Sequence, residues 1–367
     1  MIGIVGTGDQ SEESRAPALE ILAKQGLIEF VACADINPVA AAKFGAKHKL
    51  RHYGSLDEML DGEPTMGGVV IVTSHHTHGM LGLIALQRGV NVCVEKPATL
   101  SVVQAEEMAR EAKRSGLTLV CGYQYPFSIE HLRRPIRQGA LGPVERVHAE
   151  WRRRDGIPPT KTFWNSAENG GVIVDLAGHV LSVMLYMLDL DEEPSVVSAR
   201  TWNTMGQGSK GSSFRAEDAA WMVLDWPVPA DLVEENVQGG LRAELKFHWA
   251  ANIQKDDSLG LRFEGPRADL VLPLMTDQQD STGFEGTLLR RYAKGGGSAV
   301  EPKGIEGSPL PLDPQAYVAQ MRNWIQACLG EEKLLFPWSQ AVLIERIFEA
   351  ARESARHGGR QMPIRPE

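Results

Sequence analysis

The stretch Ile2-Gly3-Ile4-Val5-Gly6-Thr7-Gly8-Asp9-Gln10-Ser11 decides the fold of this chain. Its first four residues predict a strand, and the glycines that follow predict a tight turn into a helix. Gly6 permits the turn, and Gly8 lets a pyrophosphate approach the backbone at the helix N-terminus, where Asp9 and Gln10 follow. Ser11 replaces the third glycine of the G-x-G-x-x-G pattern. We expect a dinucleotide site here, and the alternative is a turn with no ligand.

Strands and helices alternate from residue 2 to about 122. The predicted strands are Ile2–Val5, Glu29–Ala34, Gly68–Thr73, Asn91–Glu95 and Thr118–Gly122. The predicted helices are Ser14–Lys24, Pro38–Lys47, Leu56–Leu60, Met80–Arg88 and Val102–Ser115. This rhythm is typical of βαβ units and predicts an α/β fold, with a parallel-sheet Rossmann domain over residues 1–122.

The pattern changes after residue 123. Helices are predicted at Ile129–Gln138 and Val172–Leu188, and again at Gln315–Leu329 and Ser339–Arg356. The predicted strands are Val144–Trp151, Ser195–Trp202, Ala219–Trp226, Leu241–Trp249, Leu259–Glu264, Ala268–Leu272 and Gly286–Tyr292. Many of them alternate apolar and polar residues, which favours an open, largely antiparallel sheet in an α+β domain over residues 123–367. Met205–Ser213 is expected to be a hairpin loop and Ala293–Pro314 a linker, and the helices over 315–356 are candidates to return to the first domain.

The composition limits the classes of function. The chain has 367 residues and a net charge of −9, so it lacks the basic footprint of a general nucleic-acid binder. No apolar run reaches the roughly 18 residues of a membrane helix. The N-terminus reads as a strand without a secretory signal, and three of the four cysteines lie in apolar runs. We therefore expect a cytoplasmic protein with buried thiols.

Asp35 follows the second predicted strand, where dinucleotide-binding domains place an acidic residue against the ribose hydroxyls. A helix cap is the alternative role for this side chain. Ile36 comes next, and no arginine follows within the turn to bind a 2′-phosphate. The sequence thus favours NAD over NADP.

Glu95-Lys96-Pro97 ends the strand Asn91–Glu95. Ligands of open parallel sheets bind beyond the carboxyl ends of the strands, so Lys96 is expected to face the nicotinamide, with Glu95 beside the cofactor. An ammonium group there stabilises negative charge that develops on a substrate oxygen. The alternative is a surface lysine at a strand end, and a trans bond is the expectation before Pro97, with cis as the alternative.

Asp175 and His179 lie four residues apart in a helix that is otherwise apolar. Ionisable groups in such a helix need a reason to be there. A histidine can take the proton from a hydroxyl as hydride leaves its carbon, and the aspartate can orient the imidazole or bind a neighbouring hydroxyl. A lone histidine would favour a structural role, but the aspartate and Lys96 favour catalysis.

These features together resemble the glucose-fructose oxidoreductase, inositol dehydrogenase and rhizopine catabolism superfamily. The resemblance covers nearly the whole chain, and its departures are Ser11 and the pair His75-His76, where the family often has Pro-Asn. It extends to Gly122-Tyr123, the turn at 139–142 and the closing helices at 336–358. It implies that Lys96, Asp175 and His179 form a catalytic triad. It also implies a second-domain sheet that serves substrate contact and assembly into a homodimer or homotetramer.

The remaining candidates carry weaker signals. Thr73 and His78 are expected to contact the cofactor, and a metal site at His75-His76-Thr77-His78 is disfavoured because no acidic or cysteine partner is near in sequence. Tyr123, Arg154 and Trp164 are substrate-contact candidates. Their alternatives are hinge packing for the tyrosine and a solvated face or subunit contact for the arginine.

The resulting hypothesis is an NAD(H)-dependent dehydrogenase that acts on a secondary hydroxyl or ketone of a sugar, sugar acid or cyclitol. The polyhydroxylated substrate follows from the resemblance alone. Two alternatives stay open: a glycosidase that uses NAD for transient oxidation, and a cofactor-binding regulator without catalysis.

Overall fold

A computed structural model describes residues 1–158, 170–205, 214–227, 240–251, 257–274, 287–290, 302–304 and 315–364. The chain forms two compact units, and each is built from two stretches of sequence. The first unit joins Met1–Phe127 to Pro311–Glu345, and the second joins Ser128–Leu310 to Arg346–Glu367.

The first unit contains a parallel sheet of six strands in the order β3-β2-β1-β4-β5-β6. The strands are β1 (Ile2–Val5), β2 (Phe30–Ala34), β3 (Arg51–Tyr53), β4 (Gly68–Ile71), β5 (Asn91–Val94) and β6 (Leu119–Cys121). The order reverses between β1 and β4, which is where sheets of this kind bind dinucleotides. The predicted Rossmann architecture is confirmed.

Helices connect these strands. They are α1 (Ala16–Lys24), α2 (Pro38–His48), α3 (Leu56–Gly62), α4 (His78–Gln87) and α5 (Val102–Ser115), and a π-helical turn at Ser11–Arg15 leads into α1. The strands β4 and β5 consist almost wholly of buried residues, as strands with both faces covered should. Cys33, Cys93 and Cys121 are buried as predicted. Burial raises the pKa of the Cys93 thiol to about 12.

The C-terminal part of the first unit completes its core. Helix α9 spans Tyr317–Cys328, after α6 (Tyr125–Ser128), α7 (Glu130–Arg137) and α8 (Gly178–Leu188) in chain order. Met321 and Trp324 of α9 join the buried cluster of Ile4, Leu19 and Val70. The last helix, α10, spans Trp338–Arg356.

The second unit contains a mixed sheet of eight strands in the order β14-β13-β12-β11-β7-β10-β9-β8. The strands are β7 (Arg146–Arg153), β8 (Val196–Trp202), β9 (Ala219–Asp225), β10 (Arg242–His248), β11 (Asp257–Glu264), β12 (Ala268–Leu274), β13 (Thr287–Arg290) and β14 (Pro302–Gly304). The pair β7–β10 is parallel and the other neighbours are antiparallel. The largely antiparallel prediction is therefore confirmed.

The strands of this sheet bury alternate residues. Val147, Ala149 and Trp151 of β7 are buried, whereas His148 and Glu150 between them are more exposed. Helix α8 is buried over nearly its whole length, which explains why its sequence is apolar all round.

The structure differs from the predictions at a few elements. Strand β3 was not predicted, and β14 lies inside the predicted linker Ala293–Pro314. The expected loop Met205–Ser213 lies outside the described residues from 206 onward, as does Trp164. Within the described ranges, no helix combines the length and the hydropathy needed to span a bilayer.

Candidate active site

The turn after β1 has the features that a bound pyrophosphate requires. Gly6 has a φ of +90°, and a Cβ there would lie 2.3 Å from the carbonyl oxygen of Val72, so only glycine fits. A Cβ on Gly8 would meet no atom within 4 Å. Gly8, Asp9 and Gln10 are exposed at the start of the helix, so their backbone is accessible to an anion.

Ser11 explains why the turn does without a third glycine. Its side chain is fully buried, and its Oγ donates to the Gly6 carbonyl oxygen at 2.6 Å. The hydroxyl thus satisfies a backbone acceptor of the turn itself, and the residue remains small enough for close packing of the helix against the strand.

Asp35 lies at the end of β2 and holds the turn. Its Oδ2 accepts from Thr7 N at 2.8 Å and Thr7 Oγ1 at 2.9 Å, and its Oδ1 accepts from Asn37 N at 2.8 Å. Asn37, rather than Asp35, caps helix α2 by accepting from its first amides. Ile36 is 93% exposed beside the carboxylate. An exposed apolar residue next to a fixed acid suits the adenosine end of a dinucleotide.

Lys96 follows β5, as predicted, and the Lys96–Pro97 peptide bond is cis where a trans bond was the expectation. Its neighbour Glu95 is only 6% exposed and makes an ion pair with Arg15. The other carboxylate oxygen of Glu95 accepts from Lys96 N at 2.9 Å. The Glu95 carboxylate therefore binds groups of the protein itself, and its cofactor contact stays a prediction.

His78 and Thr73 form part of the loop beside this strand end. The His78 ring is fully buried, with Nδ1 2.8 Å from the Pro97 carbonyl oxygen and Nε2 3.0 Å from that of Thr73. Burial lowers the pKa of His78. The two carbonyl contacts favour the charged imidazole and therefore oppose this shift. The imidazole thus joins the loop after β4 to the cis-proline loop. Among the described residues, no group of three His, Cys, Asp or Glu side chains is arranged to hold a metal ion.

The predicted substrate contacts outside the triad fall in different environments. Tyr123 is fully buried with its ring edge-on to Phe336, at a centroid distance of 5.7 Å. Burial raises the pKa of the Tyr123 phenol well above its ordinary value. This placement favours the packing alternative for Tyr123. Arg154 is exposed at the end of β7.

Asp175 and His179 lie in the second unit, on a π-helical turn (Ile173–Ala177) and on α8, respectively. π-helical turns are rare and often mark functional sites. Both residues are 7% exposed. The Trp249 indole N–H donates to Asp175 Oδ2 at 2.9 Å, and Arg153 Nη1 lies 3.3 Å from the same oxygen. The His179 ring lies 6.0 Å from that of Trp151.

The start of this turn is built on Glu217. Its carbonyl oxygen accepts from Val172 N at 3.0 Å, and its carboxylate accepts from Ile173 N at 3.3 Å. A Cβ on Gly171, whose φ is +96°, would lie 2.1 Å from the Glu217 carboxylate. Burial raises the pKa of Glu217 to about 7, although Arg352 and the backbone hydrogen bonds oppose the shift.

The structure therefore gathers the sequence candidates into two groups. The glycine turn, Asp35 and Lys96 belong to the first unit, and Asp175 and His179 belong to the second. Sequence reasoning missed Arg15, Arg153 and Trp249. For Arg153 a signal existed, because the alternation of β7 places it on the same side as buried Trp151.

The residues of the first unit fit NAD. The open space above Gly8, the exposed first turn of the helix and the fixed Asp35 carboxylate match the pyrophosphate and ribose of a dinucleotide. Gly6, Gly8, Asp9, Gln10 and Asp35 would hold it.

Comparison with known families agrees with this geometry. Residues 1–123 match a family model described as "Oxidoreductase family, NAD-binding Rossmann fold". Residues 129–264 match the model described as "GFO/IDH/MocA C-terminal domain".

Individual proteins are similar over most of the chain. The D-glucoside 3-dehydrogenase of Escherichia coli K12 is 25% identical over 289 residues, which cover 78% of this chain and 75% of that protein. The 1,5-anhydro-D-fructose reductase of Ensifer adhaerens is 26% identical over 269 residues, covering 70% of this chain and 67% of that protein. The crystal structure of GenD2 from gentamicin A biosynthesis, in complex with NAD, shares the fold with a TM-score of 0.76 and 24% identity, covering 100% of this chain and 96% of that one.

Proposed function

The chain belongs to the GFO/IDH/MocA oxidoreductase family, whose N-terminal domain binds NAD, and from this premise we propose that it is an NAD(H)-dependent dehydrogenase of a polyhydroxylated substrate. The reaction moves a hydride between nicotinamide and a secondary hydroxyl or ketone of a sugar, sugar acid or cyclitol. The substrate class is supported by the names of the relatives, which include a glucoside dehydrogenase and an anhydrofructose reductase.

The observation that carries the proposal is the buried pair Asp175 and His179 in an otherwise apolar segment. A carboxylate that is 7% exposed is costly unless it has donors, and here Trp249 and Arg153 supply them. A purely structural helix would not need an acid and an imidazole at this place. General acid–base catalysis on a substrate hydroxyl would give both side chains a role.

In the proposed oxidation, the chain's own residues handle the proton and the developing charge. NAD, when bound, supplies the hydride acceptor. The Lys96 ammonium donates a hydrogen bond to the reacting oxygen and stabilises its negative charge. His179 takes the hydroxyl proton as the carbonyl forms, and Asp175 orients His179 or binds a neighbouring hydroxyl. Reduction runs through the same steps in reverse.

A panel of sugars, sugar acids, anhydrosugars and cyclitols tests the proposal, with NADH or NADPH formation measured in parallel. We expect turnover with at least one member and NAD as the better cofactor. Lys96→Met and His179→Asn should each lower kcat by about 10²- to 10⁴-fold. Lys113→Met and His52→Asn are matched controls because both residues are exposed in the first unit, and they should retain wild-type kcat.

The outcomes separate the alternatives. Glycoside cleavage without net NADH would favour the glycosidase. Binding of NADH without turnover of any panel member would favour the regulator. Wild-type kcat in His179→Asn would remove the proposed acid–base role.

We also propose that the enzyme is a homodimer or homotetramer in which the open face of the second unit's sheet binds a second copy. This face exposes Trp202 (46%) and Trp221 (42%), and Lys246 Nζ lies 5.8 Å from the Trp221 ring centroid. Charges of both signs, such as Glu150 and Arg152, lie beside these rings. Exposed aromatic side chains surrounded by paired charges suit a self-complementary interface. A cytoplasmic location stays a prediction.

A further inference from the structure

Arg15 is the most deeply buried cation of the first unit among the residues that the structure describes. Its side chain is fully inaccessible, and it ends the π-helical turn Ser11–Arg15, which directly follows the glycine turn at residues 6–10, the cofactor turn. A buried guanidinium is tolerated only when charge and hydrogen bonds compensate it. Arg15 takes no part in the proposed reaction steps.

The ionic partner of Arg15 is Glu95. This glutamate precedes Lys96, and its second carboxylate oxygen accepts from Lys96 N at 2.9 Å. The Glu95 side chain thus connects the Arg15 guanidinium to the backbone amide of Lys96, the proposed catalytic lysine. A carboxylate that must serve both groups has little freedom to turn.

The other partners of Arg15 come from the ends of different elements. Nη1 donates to Gln320 Oε1 of α9 at 2.6 Å, and Nη2 donates to the Gly122 carbonyl oxygen after β6 at 3.3 Å. The guanidinium also lies 4.7 Å from the centroid of the Tyr317 ring. The Tyr317 hydroxyl accepts from Gln10 Nε2 at 3.2 Å, which returns the network to the cofactor turn.

Gly122 is matched to this arrangement. A Cβ at this position would lie 2.5 Å from Arg15 Nη2 and 3.1 Å from the Glu95 Cα. The absence of a side chain therefore leaves the room in which the guanidinium and the strand end meet. Steric fit and hydrogen bonding both converge on one orientation of Glu95.

We propose that Arg15 is a positioning residue, which holds Glu95 so that the Lys96 backbone keeps a fixed place relative to the cofactor turn. The importance of this place for turnover rests on the proposed function of Lys96. The fixed position of the Lys96 amide rests only on the contacts of the first unit.

Hydrogen exchange tests the positioning directly and needs no substrate. In Arg15→Met, the amides of the peptide that contains Lys96 should exchange about tenfold faster than in the wild type, as loss of one charge-assisted hydrogen bond implies. Arg133→Met is a matched control in the second unit, since Arg133 is also buried, paired with Asp189 and 4.1 Å from the centroid of a tyrosine ring, that of Tyr186. It should leave exchange in this peptide unchanged. Equal exchange in Arg15→Met and the wild type would overturn the proposal.

Kinetics test the consequence for the reaction. With a substrate from the panel, kcat should be about 100-fold lower in Arg15→Met than in the wild type when it is normalised to the amount of enzyme that binds NADH. KM should change by less than about threefold. Arg15→Lys keeps the charge beside Glu95 and should recover part of kcat, and it serves for both measurements if Arg15→Met does not fold. A lower melting temperature with wild-type kcat would show a purely structural role and contradict the proposal. If the wild type turns over no substrate, the proposed function fails, and the exchange experiment still decides the role of Arg15.

Discussion

At the scale of single residues, Thr7 joins the cofactor turn to Asp35 at the end of β2. Its amide and its hydroxyl both donate to one oxygen of Asp35, so the acid that is expected to meet the ribose is itself fixed by the turn. A fixed carboxylate cannot turn away from a 2′-phosphate. Discrimination against NADP would then follow from charge repulsion at one position.

The double substitution Asp35→Ser with Ile36→Arg should move cofactor preference toward NADP. Serine keeps an acceptor for Thr7, and arginine at the exposed position 36 offers charge-assisted hydrogen bonds to a 2′-phosphate. We expect the ratio of the Kd for NADPH to that for NADH to fall about 10- to 100-fold, measured by fluorescence titration. Ile36→Ala alone should leave the ratio near the wild-type value. An unchanged ratio in the double variant would place the 2′ position elsewhere.

Glu217 should make stability depend on pH. Its folded-state pKa, raised to about 7 by burial, lies above the value near 4.3 of an unfolded glutamate. Its contribution to stability is therefore fully present below about pH 4.3 and is lost as the pH rises through 7.

Glu217→Gln removes this loss. The melting temperature of the variant relative to the wild type should rise between pH 5 and pH 7 and level off above pH 7, measured by thermal unfolding. Glu331→Gln, at an exposed position, should show a constant difference over the same range. A constant difference for Glu217→Gln as well would contradict the raised pKa.

At the scale of elements, the apolar runs of the first unit predicted its strands within about two residues, because buried parallel strands are continuous and short. Strand β3, by contrast, is three half-exposed or exposed residues at the sheet edge, without an apolar run to reveal it. The parallel pairing of β7 with β10 could not be predicted from the sequence either. The alternation of apolar and polar residues shows which face of a strand is buried, but it does not show which strand lies next to it.

The site shows the same division. The glycine turn, Asp35 and Lys96 could be named as site candidates because dinucleotide-binding βαβ units place their ligand-binding residues at fixed positions, after the strands. Arg15, Arg153 and Trp249 act through partners 22 to 305 residues away, which only tertiary packing brings together. Their side chains carry no local motif.

Helix α9 should contribute strongly to the stability of the first unit. Trp324 is 1% exposed within the core cluster, so Trp324→Ala should lower the free energy of unfolding by about 3–5 kcal/mol, measured by urea denaturation. Leu329→Ala, at a position that is 63% exposed just after the helix, should change it by less than about 0.5 kcal/mol. A small loss for Trp324→Ala would mean that the first unit holds together without α9.

At the scale of the whole molecule, the open face of the second unit's sheet is the surface that we propose binds a second copy. A sheet with one buried face normally presents polar residues on the other, yet two tryptophans lie here among the charges. In the proposed assembly, a second copy of the chain would cover this face.

Trp221→Glu should therefore shift the protein toward a single chain of 40.2 kDa, measured by light scattering after size exclusion. The new charge would be buried against its own copy across a symmetric interface, which is costly. Met80→Glu, at a 54% exposed position in the first unit, should leave the mass of the assembly unchanged. A wild type that elutes as a single chain would contradict the proposed interface.

The two-stretch construction of the first unit has a consequence for synthesis. Tyr317, Met321 and Trp324 belong to its core, and they leave the ribosome only after residues 128 to 310 have been made. Translation adds about 5–20 residues per second, so the nascent Rossmann sheet lacks these three core residues for roughly ten to forty seconds. During this interval the apolar surface that α9 later covers is available to chaperones. We therefore expect the first unit to complete its fold only when translation of the chain is nearly finished.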